Sequence, residues 1–192
     1  MKKLYHVSVD DSIERFEPRP PPSLDAGVDY DAVWAIDEAH IMNYLLPRDC
    51  PRVTYYRLPE SHNKDIEVLI GPSTSKHIVA IEDIWFERAL KEEICIYEFN
   101  SKSFSVVDSG AGYFVSREIV FPIARRRIAN PLLELISLDV ELRVLKSLWP
   151  LRDRVIESTL QFSCIRMRNA KPRKEETEPV RSLNSDSLCE SP

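Results

Sequence analysis

The chain has 192 residues, 43% of them hydrophobic and 30% charged, with a formal charge of −5. That length carries one domain with a full core, and the acidic balance argues against a protein that coats nucleic acid through a basic surface. No apolar run reaches the roughly 18 residues that a membrane span needs.

The opening, MKKLYHVSVDD, turns acidic before any signal-type apolar region develops, so a cytoplasmic location is the default expectation. Residues 3–9 (KLYHVSV) read as a short strand closed by Asp10, Asp11 and Ser12. The proline-rich stretch IERFEPRPPPSLDAGVD that follows reads as a loop. Val33–Ile36 suits a buried strand, and Asp37 is a plausible N-cap for a helix through Glu38, Ile41, Tyr44 and Leu45, stopped by Pro47 and Pro51. Residues 52–57 (RVTYYR) are β-branched and aromatic enough for a strand, and IEVLI (66–70) reads as another.

Residues 77–90 have mostly helical spacing, although their first part also fits a strand. ICIYEFN (94–100) is a clear strand, and SFSVVD and GYFVS continue the β character. Beyond Pro122 the stretch PLLELISLDVELRVLKSLWPLRDRVIES predicts one or two amphipathic helices, divided near Ser137–Asp139 and ended by Pro150. LQFSCIRMR (160–168) fits a last strand or extended segment. The expected organisation is one α+β domain over 1–170 and a disordered polar tail over 171–192. Helices and strands do not alternate regularly, which disfavours a doubly wound parallel sheet.

Several residue types invite a chemical reading. His6 shares a strand face with Leu4 and Ser8, so if Tyr5 and Val7 enter the core, His6 and Ser8 line the other side. A neutral imidazole both donates and accepts hydrogen bonds and so can hold a ribose hydroxyl, though a lone histidine is more often structural. Trp34 and Tyr44 are core aromatics on the plainest reading and a stacking surface for a flat heterocycle on the other. Glu118, just after GYFVS and beside Arg117, is either a solvated charge or a functional carboxylate.

Cys50 has Arg48, Asp49, Arg52 and Arg57 near it along the chain, and basic neighbours lower a thiol pKa. No histidine is placed to activate it, so a turn held by arginine–aspartate pairing is the favoured reading. Cys50, Cys95, Cys164 and Cys189 form no CxxC or zinc-type spacing, and the histidines at 6, 40, 62 and 77 no HExxH, so no metal site is expected. Only four glycines stand against fourteen prolines, and neither a phosphate-cradling loop nor a GxSxG elbow is present. Arg125, Arg126 and Arg127 form a local basic cluster that keeps a nucleic-acid substrate open without making a strong signal for one.

LYHVS followed by IERFEPR resembles the opening of ADP-ribosyltransferase-like proteins, in which a strand carrying YHGS or similar precedes a loop with a proline and an arginine. VWAIDEAHIMNYL is similar to the strand-then-helix segment of the His-Tyr-Glu branch, the diphtheria-toxin and poly(ADP-ribose) polymerase type. In that branch an aromatic strand residue precedes, by about ten positions, a tyrosine that stacks on nicotinamide, and these positions fall here on Trp34 and Tyr44. GYFVSREIVFPI resembles the late strand that delivers the family's glutamate, here Glu118. Two positions depart from the pattern: Val7 stands where a glycine follows the histidine, and Trp34 where a tyrosine stands. The VWAIDE, LLPRDCPR and FSCIRMRNA stretches also resemble a family of small uncharacterised bacterial proteins.

The resemblance implies a single α+β domain of split antiparallel sheets with helices and a C-terminal helical segment. It implies NAD as substrate, bound in a cleft with His6 and Ser8 at the nicotinamide ribose and the ring against Tyr44 and Trp34. Glu118 would hold the ribose 2′-hydroxyl and stabilise an oxocarbenium-like transition state. Arg19 and Arg48 would meet the pyrophosphate, a contact that suits guanidinium. The acceptor is an unidentified protein or nucleic acid. A catalytically silent binding domain on the same scaffold and an unrelated α+β protein stand as alternatives.

Overall fold

A computed structural model describes residues 2–21 and 27–173. In chain order the strands are β1 (Lys3–Ser8), β2 (Val33–Asp37), β3 (Arg52–Tyr56), β4 (His77–Glu82), β5 (Ile94–Asn100), β6 (Ser105–Asp108), β7 (Tyr113–Ser116), β8 (Ala124–Ile128), β9 (Val140–Leu145) and β10 (Gln161–Ile165). The α-helices are α1 (Asn63–Asp65), α2 (Phe86–Lys91), α3 (Pro131–Ser137) and α4 (Trp149–Ile156), with a 3-10 segment over Glu38–Tyr44. The fold is α+β, as composition and element order predict. Among the described residues no helix is long and apolar enough to cross a membrane.

The strands form two sheets. One is antiparallel throughout, in the order β6-β7-β2-β1-β5-β8; the other runs β10-β3-β4-β9, with β4 and β9 parallel. Chain order alternates between them: β1–β2 go to the first sheet, β3–β4 to the second, β5–β8 to the first and β9–β10 to the second. Three apolar clusters hold the layers. Leu4, Phe16, Val33, Ala35, Tyr97, Phe99, Phe114 and Val120 cover one face of the larger sheet. Ile36, Ile41, Leu45, Ile96 and Leu135 on its other face meet Val79 and Ile81 of β4. Val53, Tyr55, Ile78 and Ala80 on the remaining face of the smaller sheet meet Leu148 and Val155 around α4.

Two expected elements differ. IEVLI is not a strand: it continues α1 as a π-helical turn over Ile66–Ile70 and stops at Gly71, whose φ is 66°. A short β-branched run has no periodicity that separates strand from helix, and the deciding contact is remote. Arg143 of β9 donates to the Leu69 carbonyl (2.6 Å) and the Ile70 carbonyl (2.7 Å), taking up acceptors that a helix end leaves unpaired.

The second difference is the C-terminal region, expected to be helical. Here α3 ends at Ser137, Asp139 turns the chain with a left-handed φ of 60°, and VELRVL becomes β9 beside β4. Val140, Leu142 and Val144 satisfy a period of two as well as Leu142 and Leu145 satisfy a period of three, so the pattern is ambiguous. Pro150 opens α4 in its first turn, where the missing N–H costs nothing, and does not end a helix. Of the tail expected over 171–192, residues 174–192 lie outside the described residues, whereas Lys171–Arg173 are packed. The Lys171 N–H donates to Glu82 (2.9 Å), and Arg173 pairs with Asp153 (2.8 Å) and lies over the Trp149 ring.

Candidate functional site

The ladder between β1 and β2 contains only Leu4–Asp37 and Tyr5–Ile36, whereas β1 stays paired with β5 as far as Ser8–Cys95. His6 occupies the gap where β2 parts from β1, with Nδ1 3.0 Å from the Trp34 carbonyl oxygen. A carbonyl only accepts, so Nδ1 carries the proton and Nε2 is the acceptor of the neutral ring. The ring packs against Phe16 at 4.9 Å between centroids. Burial lowers the His6 pKa; the bond to Trp34 opposes this, and the Arg48 and Arg19 guanidiniums reinforce it. The imidazole is therefore neutral at pH 7, with two exposed arginines, far apart in sequence, close enough to bias it.

Ser8 shares this face, half-buried, and its hydroxyl oxygen accepts the Asp10 N–H at 3.1 Å. Glu118 lies just past β7, exposed, with its backbone N–H on Ser116 Oγ (3.2 Å). Phe16 joins this segment to His6: its ring touches the imidazole, and its N–H donates to the Val120 carbonyl at 2.8 Å. Arg117 beside Glu118 stacks on Tyr30 with 3.6 Å to the ring centroid.

Trp34 and Tyr44 lie elsewhere. Strand register sets Trp34 on the face of Tyr5 and Val7, opposite to that of Leu4 and His6. Its indole meets Tyr113 edge-on at 6.1 Å, and the Tyr44 hydroxyl donates to the Tyr113 hydroxyl at 2.9 Å. Burial raises the Tyr44 pKa strongly. The three rings thus form a train on the core side, and the Trp34 Nε1–H is buried without a partner.

The turn at Cys50 is held otherwise than by arginine–aspartate pairing. Buried Arg52 folds back to donate to the carbonyls of Pro47 (3.3 Å) and Cys50 (2.8 Å). Burial pushes the Cys50 thiol up to about 12, which makes it a poor nucleophile. The basic cluster is also occupied: Arg125 donates to the Asp11 carbonyl, Arg126 pairs with Glu134 (2.6 Å), and Arg127 pairs with Glu93.

A second constellation escapes motif reading. His40 Nδ1 is 2.6 Å from Asp37 Oδ1, while Lys2 approaches Oδ2 at 3.1 Å. Asp37 stands at the N-cap position, as expected, but its carboxylate caps nothing and turns to the imidazole instead. The pair borders a cleft of about 200 Å3 between the 3-10 segment, the β6–β7 turn and the β3–β10 edge of the smaller sheet. Asp37-x-x-His40 at the start of a helical segment was the available signal, because i and i+3 share a face. Among the described residues no group of three or more His, Cys, Asp or Glu side chains is set to hold a metal.

A family model matches residues 5–170 under the description "Family of unknown function (DUF6886)". No curated protein and no solved structure matches the chain.

Proposed function

The chain belongs to the DUF6886 family of unknown function, and we propose that it is an NAD-binding protein of the ADP-ribosyltransferase-like kind, with His6 at the centre of its site. The observation that carries this reading is the His6 imidazole, held neutral with Nε2 as acceptor and within electrostatic reach of Arg19 and Arg48. A ribose hydroxyl donates to such a nitrogen, and two guanidiniums suit a pyrophosphate. Ser8 on the same face adds a hydroxyl to the ribose side.

Glu118 takes the transition-state role. As the C1′–N bond to nicotinamide breaks, positive charge develops on the ribose, and a carboxylate near the 2′-hydroxyl stabilises it. The acceptor nucleophile, on a protein or nucleic acid, then bonds to C1′ and releases its proton. Phe16 supports this assignment by tying the Glu118 segment to the His6 face.

A second reading, a binding domain without turnover, is favoured by one observation. Trp34 and Tyr44 are joined through Tyr113 on the sheet face opposite His6, so the nicotinamide ring lacks its expected aromatic bed. Calorimetric titration of the full chain with NAD tests binding: Arg19→Met and Arg48→Met should each weaken it about tenfold, the effect of losing one charge-assisted contact of about 1.4 kcal/mol. Nicotinamide release that Glu118→Gln abolishes supports the transferase, and binding without release supports the silent domain. An absence of NAD binding at millimolar ligand removes both.

A further inference from the structure

We infer that the cleft beside His40 is a binding site for a neutral, polyhydroxylated ligand of monosaccharide size, separate from the His6 site. The register of the β3–β10 edge builds one wall. Gln161 stands opposite Tyr56 and Ser163 opposite Thr54, two rungs on either side of the Phe162–Tyr55 rung, so four side chains able to hydrogen-bond share one face. His40, Met42 and Asn43 of the 3-10 segment form the second wall, and Asp108, Gly110 and Ala111 of the β6–β7 turn close the third side.

Two polar atoms of this wall lack partners. Thr54 is 2% exposed and Asn43 5% exposed, and both the Thr54 Oγ1 and the Asn43 Oδ1 are buried without a hydrogen bond. A buried polar group left unpaired destabilises the fold, a cost that a ligand hydroxyl removes. A hydroxyl both donates and accepts, so it serves an amide oxygen and a threonine hydroxyl alike.

Charge narrows the ligand class. Among the described residues the cleft is lined by no lysine or arginine, so a phosphate or carboxylate would meet no counter-charge from them. The lining carboxylate of Asp108 already accepts the Gly110 N–H (2.8 Å) and Ala111 N–H (2.9 Å) through Oδ1. An apolar ligand would leave Thr54 and Asn43 unpaired. Tyr56 adds aromatic surface for the C–H face of a sugar ring. The volume, about 200 Å3, falls below the roughly 300–1,000 Å3 of sites for drug-sized ligands and limits the occupant to one small ring.

His40 is the oriented group of the site. Asp37 can only accept, so the proton sits on Nδ1 and Nε2 remains for the ligand. Gly112 buttresses the pair: a Cβ there would overlap His40 Nδ1 and stand 2.6 Å from Asp37 Oδ1. The site therefore has an imidazole oriented by Asp37 at His40, an amide at Asn43 and hydroxyls at Thr54, Tyr56 and Ser163.

Titration of the full chain with D-ribose, D-glucose and inorganic phosphate, followed by NMR shifts of the histidine ring protons, tests the inference. The expected result is saturable movement of the His40 ring signals by at least one sugar and none by phosphate. Thr54→Val, which keeps the shape and removes the hydroxyl, should weaken that sugar about tenfold; if this variant does not fold, Ser163→Ala reads the same wall. No response to either sugar, a response to phosphate alone, or sugar binding indifferent to the wall variant overturns the assignment.

Discussion

Glu82 and Lys171 are joined through a fully buried carboxylate: the Lys171 backbone N–H donates to Glu82 Oε2 at 2.9 Å, while the Leu148 N–H donates to Oε1 at 3.2 Å. One side chain at the end of β4 thus anchors both the start of α4 and the segment that follows the last strand.

Glu82→Gln should therefore destabilise the protein by about 2–3 kcal/mol, because its amide NH2 would face a backbone donor and leave that N–H unpaired. Urea denaturation measures the change. A loss under about 0.5 kcal/mol would show that the carboxylate is not needed as a double acceptor. Neighbouring Asp83 is held down to about 2 by hydrogen bonds from Lys146 and Lys171.

Gly112→Ala and Gly71→Ala form a controlled pair. Both positions have positive φ values, 71° and 66°, so each substitution strains the backbone by about 1–3 kcal/mol. At Gly71 the nearest neighbour of a new Cβ is the Glu67 carbonyl at 3.9 Å, whereas at Gly112 the Cβ would displace the Asp37–His40 pair. Thermal melts should show a clearly larger drop for Gly112→Ala, accompanied by shifted His40 ring signals. Equal drops with an unmoved His40 would mean that the pair is not buttressed by the backbone.

Acid should destabilise the fold through two histidines. Burial lowers the pKa of His6 and of His77, in the latter case reinforced by His40 and Lys76. A lowered native pKa means that the unfolded chain binds the proton more tightly. The stabilisation is complete above the unfolded value of 6.5 and is lost as pH falls from there towards the native values. Melting temperature should fall between pH 7 and pH 5, and His6→Asn should flatten part of that slope. An unchanged slope in His6→Asn would show that His6 binds its proton equally well in the folded and unfolded chain.

Alkylation separates the two readings of Cys50. Buried, with its thiol pushed up to about 12, it should resist iodoacetamide at pH 8 in the native chain and react only after unfolding. Peptide mapping by mass spectrometry reads this directly. Rapid native labelling at Cys50 would restore the reactive-cysteine reading that the structure disfavours.

Local pattern carried much of the fold and less of the site. Strands β1, β3 and β5 announce themselves through alternation and β-branched content, and the shared face of Leu4, His6 and Ser8 follows from period two alone. Which residue of β2 faces His6 does not, because register depends on contacts remote along the chain, and bridges such as Phe16–Val120 and Arg19–Ala32 are among those that sequence spacing leaves open. Sequence spacing brought His6 and Trp34 into one imagined pocket; a ladder that pairs Tyr5 with Ile36 separates their side chains. The helical outcome of IEVLI was equally hidden, since the Arg143 guanidinium that closes it lies 73 residues away from Ile70. The Asp37–His40 pair was visible as a spacing but carried no motif name, and the cleft that gives it meaning is built by β3 and β10.

The alternating assignment of strands to sheets has a consequence for how this chain assembles. The six strands of the larger sheet are interrupted in sequence by β3 and β4 of the smaller one, and β3 and β4 in turn wait for β9 and β10. Each sheet must wait for a partner strand made later, which places much of the ordering entropy before the rewarding contacts. Folding should consequently be slow and a single cooperative event, with coincident transitions by fluorescence and circular dichroism. Cutting the chain between β4 and β5 should yield two fragments that are each unstructured alone and regain the native spectrum only when mixed.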